Sequence, residues 1–292
     1  MMPTRALGDL RVSAIGMGAM TLTQVPDADV ERGVRAVHAA LDAGITLFDT
    51  ADSYGPSGEM GVNERALIEA LKRHPDAIDR VVIATKGGHT RGPAATWWVD
   101  GSPEHLAAAA RASAQRLSLD ALPLYQHHRP DVRVPFEESM GAMRQLVDEG
   151  VVLRVGVSNV DVGQLDIARR VLGDALVSVQ NEYSVRERSS DAVLRHCERH
   201  GLAFLAWGPL GGMRAAKGLG GAAAAAAAVA ERHGVSPQRV VLAWLLSLSP
   251  VLIPIPGASR PESVQDSAAS VDLTLDEDDL RLLEAGAPGE DQ

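Results

Sequence analysis

The chain has 292 residues, 46% of them hydrophobic, enough for one large core, and a single domain over residues 1–292 is expected because α/β barrels reach this length as one unit. A formal net charge of −10, with a pI near 5.4 and no long basic run, argues against nucleic acid or an anionic membrane surface as a partner. Nothing near the N-terminus reads as a signal peptide, and no window approaches the roughly 20 apolar residues of a membrane span, so a soluble cytoplasmic protein is expected. One cysteine, Cys197, permits neither an internal disulfide nor a cysteine metal cluster, and no metal site is expected.

Along the chain, Thr4–Ala6 and Leu10–Val12 flank Gly8-Asp9 and predict a short hairpin. A regular alternation follows. Short apolar runs at Ala14–Met17, Ile45–Phe48, Val81–Thr85 and Leu122–Gln126 predict strands, as do Leu153–Val157, Leu176–Val179, Leu202–Ala206 and Val251–Ile255. Between them, helical spacing predicts helices over Asp29–Ala43, Asn63–Arg73, Ser102–Leu117, Phe136–Glu149, Val162–Leu172 and Asp191–His200. The alanine-rich stretch Ala222–Arg232 reads as helix, since alanine is the best helix former, and Ser236-Pro237 opens another. Helices at Pro261–Ala269 and Asp276–Glu284 end the chain. Eight strand–helix units with no strand resembling an edge predict a closed (β/α)8 barrel, a TIM barrel of the α/β class, rather than an open sheet.

Barrel enzymes carry their chemistry at the C-terminal ends of the strands. Those positions hold Asp49, Lys86, His128, Ser158-Asn159, Gln180-Asn181, Trp207-Gly208 and Ser259-Arg260, more polar residues than a core tolerates. Tyr54 follows Asp49 by five positions, on the loop beyond its strand. A tyrosine hydroxyl has an ordinary pKa of about 10 and is a poor donor near neutrality unless a cation lowers it. Lys86 is placed to be that cation, with Asp49 keeping it charged and His128 holding or protonating a substrate oxygen. The combination suits carbonyl reduction.

Phe48-Asp49-Thr50-Ala51-Asp52-Ser53-Tyr54-Gly55, Ala84-Thr85-Lys86 and Leu124-Tyr125-Gln126-His127-His128-Arg129-Pro130-Asp131 resemble the aldo-keto reductase family. So do Val155-Gly156-Val157-Ser158-Asn159, Gln180-Asn181-Glu182-Tyr183-Ser184 and Pro254-Ile255-Pro256-Gly257-Ala258-Ser259, in the family's order over nearly the whole chain. The resemblance implies that the N-terminal hairpin closes the barrel floor and that Asp49, Tyr54, Lys86 and His128 form a catalytic tetrad. NADPH would lie across the barrel mouth and reduce a small-molecule carbonyl substrate, with Tyr54 giving the proton. His128 is preferred to His127 because it stands two residues before the Pro-Asp pair, and strand parity puts it on the face of Leu124 and Gln126. Ser158, Asn159 and Gln180 match the residues holding the nicotinamide carboxamide, and Trp207 the ring stacked on it. Gly208, Leu210 and Gly212 match the pyrophosphate-side loop. Gly18, Ala19 and Met20 at the first strand and Gly257 at the last are also placed against the cofactor.

Ser259-Arg260-Pro261-Glu262 has the spacing of a capping box, and Arg260 beside that helix start is the candidate for the adenosine 2′-phosphate. Asp266-Ser267 stands where the family commonly carries a Glu-Asn pair for adenine, and Ser263 where a longer polar or basic side chain is frequent. Met20, Tyr54, Trp97, Trp98 and His128 are expected to line the substrate pocket. Asp52 reads as a turn-former, His127 and Cys197 as packing residues, and Arg214 and Lys217 as solvated charges. The alternative function, from another class, is a catalytically weak NADPH-binding regulatory or redox-sensing subunit of the same fold; the intact tetrad and the lack of a charged docking tail favour the enzyme. A phosphate-handling isomerase would need a Glu base at a strand end, and none is seen.

Overall fold

The computed structural model describes residues 1–56, 58–92, 96–211 and 221–285. Two antiparallel strands, β1 (Thr4–Leu7) and β2 (Leu10–Ser13), pair from Thr4↔Ser13 to Leu7↔Leu10. They are followed by β3 (Met17–Gly18), β4 (Leu47–Asp49) and β5 (Val82–Gly87). A second antiparallel hairpin, absent from the sequence expectation, follows as β6 (His89–Arg91) and β7 (Trp97–Val99). The remaining strands are β8 (Leu124–His127), β9 (Val155–Ser158), β10 (Leu176–Glu182), β11 (Ala203–Trp207) and β12 (Leu252–Pro254).

Eight of these form one parallel sheet in the order β3-β4-β5-β8-β9-β10-β11-β12, and its two ends meet. Gly18 bridges Gly257 in parallel, and the amides of Gly16 and Gly18 donate to the carbonyls of Pro254 (2.9 Å) and Pro256 (3.0 Å). The expected (β/α)8 barrel is the observed fold. Gly18 makes the seam possible: a Cβ there would stand 2.9 Å from the carbonyl oxygen of Ile255.

Helices close to the expected spans cover the outside, with Val162–Leu172 and Asp191–His200 as expected to the residue. Ser102 and Ser236 cap their helices, accepting from the amides of His105 (3.3 Å) and Arg239 (3.0 Å), each ahead of a proline at the first helical position. The capping box expected at Ser259 and Glu262 is not formed. Pro261 sets the start of the helix Pro261–Ala268, so the N-cap is Arg260, without a side-chain cap bond, and Glu262 falls one position short of a reciprocal partner. A complete box occurs instead at Asp161 and Gln164. Among the described residues, no helix is long and apolar enough to cross a membrane.

Most strands begin and end later than their apolar runs. Leu122 makes only an isolated bridge to Val152, and the ladders extend through Lys86, His127 and Ser158. Backbone pairing is indifferent to side-chain polarity, so it continues into the polar strand ends. At the start of β3 the opposite happens. Ser13 and Thr46 exchange amide-to-hydroxyl bonds of 2.8 and 2.9 Å, replacing ladder bonds and leaving β3 two residues long.

Strand parity sorts the barrel interior into layers. The lowest holds Leu47, Ala84, Leu124, Leu205 and Ile253, capped from below by Leu7 and Val12 of the hairpin, which are fully buried. Each such side chain contributes about 1.5–3 kcal/mol on burial. One step up the same strands stand Asp49, Lys86 and Gln126. In β10 a register irregularity between Leu176 and Ser178 lets Val177 join the floor and Gln180 join the polar layer above it. Phe48, Ile83 and Tyr125 point the other way, into the shell between sheet and helices.

A platform flanking the polar layer from outside the barrel comes from the helix Val62–Lys72, whose first turn buries Asn63 and Glu64 completely. The Asn63 amide donates to Ala19 O (2.8 Å) and Thr23 Oγ1 (2.7 Å), and its oxygen accepts from Thr50 Oγ1 (2.7 Å). Glu64 accepts from Thr85 Oγ1 (2.6 Å) and from Arg116 Nε (2.5 Å). Thr50 and Thr85 are the chain neighbours of Asp49 and Lys86, so the platform fixes the strands that carry them.

Two substitutions, with a third as control, test these supports by thermal unfolding. Gly18→Ala is expected to destabilise by about 1–3 kcal/mol because the seam must open, whereas Gly141→Ala, exposed in the helix Phe136–Asp148 with open space around it, should stabilise by up to about 1 kcal/mol. Asn63→Ala, which strands the Thr50 hydroxyl and the Ala19 carbonyl, is expected to cost about 2–3 kcal/mol. An unchanged melting temperature for Asn63→Ala would refute the platform.

Candidate active site

At the centre of the polar layer lies Lys86, fully buried. Its ammonium has three hydrogens and three acceptors: Asp49 Oδ2 at 2.7 Å, the Thr50 carbonyl at 2.9 Å and the Tyr54 hydroxyl at 3.2 Å. The second oxygen of Asp49 accepts from Gln126 Nε2 (3.1 Å) and Gln180 Nε2 (2.7 Å). Burial disfavours the charge on Lys86, but Asp49 and Tyr54 outweigh it and hold its pKa above 10.5. The lysine is therefore an ammonium pointed at a phenol.

Tyr54 itself departs from the sequence expectation. Burial raises its hydroxyl above the ordinary 10.0; Lys86 pulls the value down and Asp49 pushes it up, and burial wins. The expected net lowering is thus reversed, and the group rests as the protonated phenol.

The ring of His128 meets that of Tyr54 edge-on at 5.6 Å. Burial, and then the Lys86 charge, press its pKa well below 6.5, so the imidazole is neutral. Its Nδ1 is buried without a partner. His127 faces the other way, against Phe136 at 5.6 Å, as parity requires. Behind His128 stands a residue the sequence reading missed: the ring of His89 lies 4.6 Å from it, on the β6–β7 hairpin. Burial first, then Arg129, Lys86 and Arg91, lower His89 to about 4.

The same hairpin brings Trp97 to the site, its ring 5.0 Å from His89. Trp98, next along the strand, projects to the opposite face, 55% exposed and donating to Thr96 Oγ1 (3.0 Å), away from the tetrad. Met20 is half-buried on the turn after β3. Asp52 lies in a turn, as expected, but it is 2% exposed with Oδ1 unpartnered, and burial beside Glu64 raises its pKa well above 3.8.

The residues matched to the cofactor fall into two groups. On one side Ser158 Oγ donates to Gln180 O (2.6 Å), and Asn159, at a left-handed φ of 59°, donates to His128 O (2.9 Å) and Ser158 Oγ (3.0 Å). The Gln180 amide also reaches Asp49, so this cluster and the tetrad form one network. Half-buried Trp207 ends β11 beside it and lines, with Arg129, Asn159 and Glu182, a cavity of about 860 Å³. On the other side Gly18 and Gly257 form the barrel seam, Ala19 is fully buried behind it, and Ser259 and exposed Arg260 lead into the helix Pro261–Ala268. That helix has no side-chain cap, which leaves first-turn amides free for an anion, and Arg260 is beside them. Gly208 has a φ of 63° and Leu210 is half-buried, while Gly212, Arg214 and Lys217 lie outside the described residues. Asp266 is already engaged, accepting from Ser236 and from Arg239 Nη2 (2.8 Å), so its carboxylate is tied to the neighbouring helix. The seam, the uncapped helix and the amide cluster fit an extended anionic dinucleotide; Asp266 fits it less well.

Sequence comparison matches residues 14–287 to the aldo/keto reductase family. An uncharacterized oxidoreductase of Schizosaccharomyces pombe is 32% identical, over 99% of this chain and 91% of its own length. Pyridoxine 4-dehydrogenase of Escherichia coli is 31% identical over 96% of this chain and 97% of its own. A crystal structure of an aldo/keto reductase from Klebsiella pneumoniae, in complex with NADP and acetate, superposes with a TM-score of 0.84 at 27% identity, covering 100% of this chain and 98% of that one. With a family match over nearly its whole length, this chain belongs to the aldo/keto reductase family.

Proposed function

We propose that the protein is an NADPH-dependent reductase of aldehydes or ketones, with Asp49, Tyr54, Lys86 and His128 as its catalytic residues. The observation that carries the reading is the buried ammonium of Lys86, 2.7 Å from Asp49 and 3.2 Å from the Tyr54 hydroxyl, beside a neutral histidine. The NADP-bound relative supports the choice of cofactor, and the net charge of −10 favours a small-molecule partner over nucleic acid or an anionic membrane. Ser158, Asn159, Gln180 and Trp207 would hold the nicotinamide end, and Gly18, Gly257, Ser259 and Arg260 the phosphate end. When bound, the dinucleotide supplies a hydride to the carbonyl carbon.

The chain's own residues handle the oxygen. Tyr54 donates its proton to the developing alkoxide, a far stronger base than a phenolate, so transfer is favourable even from a phenol whose pKa burial has raised. As the phenolate forms, Lys86 stabilises it through a bond already in place, at no cost of reorganisation. Neutral His128 orients the carbonyl by hydrogen bonding without adding a charge that would compete with Lys86. Asp49, braced by Gln126 and Gln180, keeps the lysine charged and aimed.

The deciding experiment is NADPH oxidation with a panel of aldehydes and ketones, on wild type and Tyr54→Phe in parallel. Loss of about 10²–10⁴ in kcat, with NADPH affinity unchanged within about twofold, is expected. If wild type binds NADPH and reduces nothing, a regulatory role takes the place of the reductase. The pH profile gives a second check. Because His128 is neutral well below 6.5 and Tyr54 stays protonated to above 10.0, the reduction rate should show no inflection near 6.5 and fall only above pH 10. A limb near 6.5 that disappears in His128→Asn would contradict the neutral histidine.

A further inference from the structure

The β6–β7 hairpin carries a feature that the reaction as described does not use. Arg91 is half-buried at the mouth, its guanidinium 4.1 Å over the ring of Trp97 and its Nη2 3.3 Å from the carbonyl of Gly55, the residue after Tyr54. Its Nε is buried with no partner. Among the described residues one other arginine, Arg32, also has an unpartnered buried guanidinium nitrogen, and Arg32 is ion-paired with Asp27 at 3.1 Å. Arg91 has no carboxylate within ion-pair distance among the described residues. A buried charged donor left unmatched is costly, and a protein of net charge −10 has acids in plenty with which to pair it.

The surroundings reinforce the point. Arg129, Lys86 and Arg91 all act on the His89 ring, and Lys86 is already neutralised by Asp49. Arg129 shares its cavity with Glu182, whose charged form it favours. Arg91 is held by its hydrogen bond to the carbonyl of Gly55, next to Tyr54, and it reaches His128 through the neighbouring rings of Trp97 and His89. Trp97 is 44% exposed and offers a flat apolar surface next to that cation.

We propose that the site takes carbonyl compounds bearing an anionic oxygen group, a carboxylate or a phosphate, on a flat apolar body, with Arg91 binding the anion and Trp97 packing against the body. This deepens the reductase reading and rests on it. A guanidinium held over an aromatic ring is pre-oriented for two-point binding of such a group, which a lysine would bind only as a point charge. The subsite sets which carbonyl is held; it takes no part in hydride or proton transfer.

The test compares three aldehydes of one shape, 4-carboxybenzaldehyde, 4-formylphenyl phosphate and the neutral methyl 4-formylbenzoate, on wild type, Arg91→Gln and Arg91→Lys. Wild type is expected to favour at least one charged aldehyde over the ester by about tenfold in KM, and Arg91→Gln to abolish that preference while Arg91→Lys keeps part of it. The ratio is taken within each variant, so partial loss of folded protein cancels. Whichever charged aldehyde shows the larger loss identifies the anion. Independently of turnover, terephthalate should quench the tryptophan fluorescence of the NADP+-loaded wild type and fail to do so with Arg91→Gln.

An unchanged preference in Arg91→Gln, a wild type that favours the ester, or weakened NADPH binding as the main effect of the substitution would each overturn the proposal. The two readings separate cleanly. Terephthalate binding through Arg91 with no carbonyl reduced would sink the reductase and keep the subsite, whereas reduction of the ester with no charge preference and no terephthalate binding would do the reverse.

Discussion

A buried ion pair is the constraint from which the rest of this structure follows. Lys86 and Asp49 have side chains 0% and 4% exposed, and moving two charges out of water costs several kcal/mol each after relaxation. Their attraction offsets that only if the remaining hydrogen-bonding capacity is met. Lys86 meets it with the Thr50 carbonyl and the Tyr54 hydroxyl, and Asp49 with two glutamine amides from β8 and β10. Four strands and one loop are therefore committed to one ion pair. Two apolar residues of similar volume would stabilise the barrel at least as well, so the arrangement makes sense as chemistry rather than as a contribution to stability.

The barrel makes such a site feasible by layering. Period-two alternation stacks a polar layer directly on an apolar floor, and the N-terminal hairpin seals that floor with Leu7 and Val12. Asn63 and Glu64 then hold the flanking threonines from outside the barrel. The result is a charged centre sealed from below and braced from the side, which opens only towards the loops.

This layering also explains what could be read without coordinates. Strand parity alone separates His128 from His127, and apolar runs ending in Asp49 and Lys86 mark the strand ends, because both signals are local. The same parity argument applied to Gln126 would have identified it as a partner of Asp49. Asn63 and Glu64 were illegible because they occupy the first turn of a helix, where polar residues are ordinary, and only tertiary contact shows them buried. His89 and the hairpin were hidden by the Gly and Pro around them, which read as loop. The capping box at Ser259 failed because Pro261 outranks the serine in setting the helix start, and Asp266 was claimed by Arg239 of the preceding helix, a tertiary contact no local pattern shows.

The direction of the Tyr54 shift shows how these pieces depend on one another. Sequence reasoning sees the lysine and expects a lowered pKa; the structure adds the desolvation that the lysine must fight. Desolvation strengthens the Lys86–phenolate attraction at the same time, since a charge pair is worth more where water is excluded. A protonated resting phenol and a well-stabilised phenolate product are thus compatible, the first set by burial and the second by the ammonium. The histidines obey the same logic: burial first, and then the neighbouring cations, keep His128 and His89 neutral, so no imidazolium competes with Lys86 beside the acid. Any further cation tolerated near it has to be held at the rim, on an element free of the barrel's alternation, and the β6–β7 hairpin is such an element.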